Sequence, residues 1–111
     1  MALIVRLSDY RGRHKARVSF NRNELSQLLS LYSGRVAAGE WRDYAIDHDR
    51  GMAVFSIFRR TSERPAFSIC KTENAKGRSY AVFDANKRLN RSTSLDDALS
   101  IFRRRPHLVR D

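Results

Sequence analysis

Apolar residues at Leu25, Leu28, Leu29, Tyr32 and Val36 recur at three- and four-residue intervals, which aligns them along one side of a helix. Asn21 stands where a side-chain oxygen can accept from first-turn amides, and Glu24, three residues on, can reach back to complete a capping box. Phe20 and Leu25 occupy the staple positions around that cap, so the pattern predicts a helix over 21–38 with Gly39 as its stop. Gly34 lies inside it, where glycine weakens a helix by about 1 kcal/mol relative to alanine, and either a close packing contact accounts for it or its presence is incidental.

From Trp41 onward the period shortens. Runs rich in aromatic and β-branched residues at 44–47, 52–59, 66–72, 79–84 and 87–90 alternate with turn-forming clusters, the mark of an antiparallel meander. His48-Asp49-Arg50-Gly51, Asn74-Ala75-Lys76-Gly77 and Asp84-Ala85-Asn86 supply the turns. In the second run Ala53, Phe55 and Ile57 take one face while Met52, Val54 and Phe58 take the other. Both faces are apolar, so the strand is either covered on two sides or contributes to an interface between copies. A second helix starts at Ser94 with Asp97 three residues on, carries the stripe Leu95, Ala98, Leu99 and Phe102, and ends before Pro106. With a short apolar segment at Leu3, Ile4, Val5 and Leu7, the reading is an α+β fold in the order strand, helix, meander, helix. It has an antiparallel sheet of four to six strands, with both helices packed mainly on one face.

At 111 residues the chain has room for one core, and no repeat or Gly/Pro-rich linker divides it. The expected organisation is a basic N-terminal arm at 1–15, a single domain at 16–105 and a basic tail at 106–111. The formal charge is +10 and unevenly placed: residues 1–20 carry +4, residues 21–58 carry −1 and residues 59–111 carry +7. Such an excess makes polyanions the first partners to consider. Cys70 is the single cysteine, so no intrachain disulfide is available, and a cytoplasmic, reducing location is expected. No stretch approaches the ~20 apolar residues of a membrane span, and no membrane association is expected.

Catalytic patterns are not apparent. His14, His48 and His107 are scattered; Asp47-His48-Asp49 is explained by its turn; Asp96 and Asp97 fit a helix first turn; Cys70 sits in a strand as an inert thiol. No metal site, no cofactor and no enzymatic role are expected. The positive signal is basic residues in clusters. Arg11, Arg13 and Lys15 form an arm beside Tyr10. Arg59, Arg60 and Arg64 precede Pro65, and Arg103, Arg104 and Arg105 end the last helix, where they also complement its dipole. Lys76 with Arg78, and Lys87, Arg88 and Arg91, are further groups. The leading expectation is a non-enzymatic protein that contacts RNA or DNA backbone through the nine residues of the first three clusters, with an acidic protein as another kind of polyanion. The alternative is a protein-interaction or regulatory module, a homodimer among the options, that uses an apolar sheet face with Trp41, Tyr44 and Phe58.

The central run Val36-Ala37-Ala38-Gly39-Glu40-Trp41-Arg42-Asp43-Tyr44-Ala45-Ile46-Asp47, with Val54-Phe55-Ser56-Ile57-Phe58-Arg59-Arg60 and Ser62-Glu63-Arg64-Pro65, resembles the uncharacterised alphaproteobacterial family catalogued as domain of unknown function 2794. The resemblance covers residues 18–103 and leaves out the arm and the tail. It implies a small bacterial cytoplasmic protein and brings no activity, substrate or site residues.

Overall fold

The computed structural model describes residues 18–60 and 64–104. Helix α1 spans Arg22–Ala37. Five strands follow, β1 (Asp43–Asp49), β2 (Met52–Phe58), β3 (Phe67–Asn74), β4 (Gly77–Asp84) and β5 (Lys87–Ser92), and then α2 (Leu95–Arg104). The apolar segment at residues 3–7, the arm and the tail lie outside the described residues. Every strand pairs antiparallel with its sequence neighbour, giving the order β1-β2-β3-β4-β5. This is the α+β meander that the pattern of turns predicts.

Local chemistry sets the element ends. Asn21 and Glu24 form both halves of the capping box, each bond at 2.8 Å. The other end of α1 closes with Glu40 N–H donating to the Arg35 carbonyl and Gly39 N–H to that of Val36, a Schellman pair made possible by Gly39 at φ +79°. The box expected at α2 is half formed: Ser94 Oγ accepts from the Asp97 amide, but the Ser94 amide donates to Ser92 Oγ instead of to a carboxylate. Arg50 and Gly51, at φ 48° and 76°, make a two-residue hairpin between β1 and β2.

Both helices lie on one face of the sheet. Ala53, Phe55, Ile57, Phe67, Ile69 and Val82 project into that face and, with Leu28, Leu95, Ala98, Leu99 and Phe102, form the core. The expected stripe of α2 is buried in full, whereas that of α1 ends at Tyr32, because Val36 is 39% exposed. At this turn Arg35 replaces it. Its guanidinium stacks over Trp41 and Phe102 at 5.4 and 5.8 Å, pairs with Glu40 and donates to the Phe102 carbonyl. Gly34 has no atom within 4 Å of where a Cβ would sit, so of the two readings no close packing contact accounts for it.

Candidate functional site

Chain direction divides the charged residues into two groups. β2 ends, β3 begins, β4 ends and β5 begins at the same end of the sheet, where β1 also starts; Asp43 pairs with Phe58, Phe67 with Asp84, and Asp84 with Lys87. Arg42, Arg59, Arg60, Arg64, Lys87 and Arg88 therefore come together at this end, drawn from segments up to 46 positions apart, and all six are exposed. The Arg59 guanidinium lies over the Phe67 ring at 5.2 Å, which holds it against the sheet end while the residue stays exposed. Among the described residues none of the six has a carboxylate within salt-bridge distance, and only Asp43 and Asp84 share the end with them once Glu40 is assigned to Arg35. A cleft of about 400 Å³ lined by Arg64, Pro65, Ser68, Ala85 and Asn86 opens there.

The other half of the domain is nearly balanced. Arg22, Arg50, Lys76, Arg78 and Arg91 stand among Asp47, Asp49, Glu73, Asp96 and Asp97. The Arg103 guanidinium also belongs to this half: it turns back along α2 to bond the Asp96 carboxylate at 3.0 Å and the Asp96 carbonyl at 2.7 Å. Arg103 is thus occupied and directed away from the basic end. Arg11, Arg13, Lys15 and Arg105, and the side chain of Arg104, lie outside the described residues.

A second polar cluster is buried, and the sequence reading does not contain it. Glu24, Lys71 and Tyr80 are each 5% exposed or less. Lys71 Nζ donates to Glu24 Oε1 at 2.8 Å and to the Ser19 carbonyl at 2.9 Å, while the Tyr80 hydroxyl donates to Glu24 Oε2. Burial by itself pushes the Glu24 carboxyl up, but hydrogen bonds from Lys71, Tyr80 and the Asn21 amide outweigh it and hold the group below the usual carboxylate value. Burial first, and then the Glu24 carboxylate, push the Tyr80 phenol up to about 12. One group is kept ionised and the other protonated, so neither is poised to exchange a proton near neutral pH. The cluster ties the α1 N-terminus to β3 and β4. Among the described residues no group of three His, Cys, Asp or Glu side chains is placed to hold a metal.

Of the expected contact aromatics, Trp41 is corrected: at 4% exposure it is a core residue, enclosed by Tyr32, Phe67 and Phe102. Tyr44 is 38% exposed and stacks on Phe55. Phe58 is half-buried on the sheet face away from the helices. Cys70, half-buried on that same face, has its thiol pushed up by burial, as an inert cysteine does.

The molecule is therefore a meander domain with helices on one face and a cationic end. It belongs to a family of proteins of unknown function, DUF2794, whose family model matches residues 18–99. No curated protein and no solved structure matches the chain. No helix among the described residues is long and apolar enough to cross a membrane.

Arg59, Arg60 and Arg64 are legible as a cluster in the sequence; Arg42, Lys87 and Arg88 are not, because they join it through strand pairing. Counting the meander strand by strand reveals them, since equal strand lengths return the β4–β5 turn to the level of the β2–β3 loop. Lys71 also leaves a trace, standing in the inward alternation Phe67, Ile69, Lys71.

Proposed function

We propose that this chain is a non-enzymatic binding protein that engages nucleic-acid backbone at the basic end of its sheet, through Arg42, Arg59, Arg60, Arg64, Lys87 and Arg88. The observation that carries the reading is the asymmetry: among the described residues, six exposed cations against two carboxylates at one end, and near balance in the other half. Five strands spaced ~4.8 Å apart spread these cations over roughly 19 Å, wide enough to meet several phosphates at once. Arginine suits the task because its planar donor array fits phosphate oxygens and remains charged at every physiological pH. Phosphate contacts of this kind carry affinity and orientation and read no sequence directly. A cytoplasmic location, where nucleic acid is abundant, accompanies the reading.

The test is binding to unrelated duplexes and single strands over a salt series. Contact with three to five phosphates gives a logarithmic slope of about −3 to −4.5 for duplex, with little dependence on sequence. No binding at low salt, or binding indifferent to salt, removes the proposal.

A further inference from the structure

The sheet face away from the helices carries an ordered pattern. Met52, Val54 and Phe58 of β2, Cys70 of β3, and Ala81 and Phe83 of β4 give its centre an apolar, half-buried component, small hydroxyl residues Ser56, Ser68, Thr72 and Ser79 fill the positions between them, and neither α1 nor α2 covers it. The two edges carry opposite charge. On β1 the residues of this face are Asp43, Ala45, Asp47 and Asp49, whereas on β5 they are Arg88 and Arg91. A register shift opposite Val82 and Phe83 allows this: Leu89 packs toward the core with Asn90, and Arg88 stays on the outer face. One row crosses the whole sheet as Asp47, Val54, Cys70, Ala81 and Arg91, with the acid at one end, the cation at the other and Cys70 in the middle. Among the described residues neither Asp47 nor Arg91 has an ion-pair partner.

We infer that this face is the interface of a symmetric homodimer whose two-fold axis runs parallel to the strands, over β3. That operation lays β1 of one copy over β5 of the other and superimposes the row on its own reverse. Asp47 then meets the partner's Arg91, and Arg91 meets the partner's Asp47. Arg88 falls between the levels of the partner's Asp43 and Asp47. A two-fold perpendicular to the strands instead sets acid over acid and cation over cation, so the charges select one geometry. The area suffices: seven residues at ~3.3 Å by five strands at ~4.8 Å is roughly 550 Å² per copy. The pair then buries about 1,100 Å², above the ~1,000 Å² of a specific interface. Rotation about an axis parallel to the strands also leaves both basic ends pointing the same way, with the sheets ~10 Å apart. The dimer thereby brings two basic ends to one side of the assembly, with Arg88 of each copy drawn into the interface. This last consequence rests on the proposed nucleic-acid reading; the dimer itself does not.

Sedimentation of the full chain without nucleic acid at 1–100 µM, a concentration window of about two decades, tests it. The wild type is expected to dimerise, and Asp47→Arg and Arg91→Asp are each expected to weaken association by about tenfold or more. An equimolar mixture of the two variants is expected to recover the dimer, because the arginine introduced at position 47 of one copy then faces the aspartate introduced at position 91 of the other. Recovery also shows that both variants are folded. A wild type monomeric throughout overturns the inference and leaves the face to residues 1–17 or to a different protein. Dimers indifferent to both reversals, or variants that do not recover on mixing, overturn the geometry. The variants leave all six cations of the basic end intact and association is read without nucleic acid, so loss of the dimer and loss of nucleic-acid binding are read separately.

Discussion

Glu24 has two tasks that one carboxylate can perform only at the start of a helix pressed against a sheet. It accepts from the Asn21 amide to complete the cap and from Lys71 and Tyr80 to anchor the helix. Lys71→Met leaves that carboxylate buried without its counter-charge and is expected to lower stability by about 3–5 kcal/mol in urea unfolding. Adding Glu24→Leu is expected to cost less than the sum of the two single changes, because the orphaned charge is then gone. The pH response follows from the direction of each shift. The Glu24 pKa is lowered by folding, so its contribution is complete above the ordinary glutamate value of about 4.3 and disappears as pH falls through the lower folded value. The Tyr80 pKa is raised, so its contribution is complete below about 10 and disappears as pH rises toward about 12. Glu24→Gln is therefore expected to flatten the acid limb of a stability–pH profile, and Tyr80→Phe the alkaline limb; limbs unchanged by either contradict the assignment. The capping half of Glu24 was readable from Asn21 three residues away, but Lys71 and Tyr80 are 47 and 56 positions distant, beyond the reach of local pattern.

At the scale of elements, two glycines of one helix have opposite roles. Gly34 faces open space inside α1, so Gly34→Ala is expected to raise stability by about 0.5–1 kcal/mol through helix propensity. Gly39 has space as well but sits at φ +79° in the Schellman turn, so Gly39→Ala is expected to lower stability by about 1–2 kcal/mol. Thermal unfolding of both variants checks the pair; equal signs contradict the account. The elements were largely legible because each boundary is chemical and short-range: the Asn21 cap, the Arg50-Gly51 hairpin, the Asn74 side chain accepting from the Lys76 amide in the next turn. Prediction failed where tertiary contact decides. Val36 keeps the helical rhythm but is exposed, because Arg35 forms the packed contact with Trp41, and Trp41 is core for the same reason. The shift in β5 that sets Arg88 on the outer face depends on Leu89 finding the core, which a period-two alternation does not contain.

For the whole molecule, the total charge of +10 fits either an even coat or a focused site, and only topology separates them. The meander focuses six of the cations, and Arg103, expected as an auxiliary contact, is turned toward Asp96 in the other half. The dimer inferred from the outer face sets two such ends side by side. The most direct test of the central claim compares two variants of equal net charge, one with Arg59, Arg60 and Arg64 changed to alanine, the other with Arg22, Arg50 and Lys76. Duplex binding over a salt series is expected to show the first losing about 2–3 from the slope magnitude, close to one per phosphate contact removed, and the second staying near wild type. Equal losses in the two would mean that overall charge and not its placement governs binding, and would contradict a site at the end of the sheet.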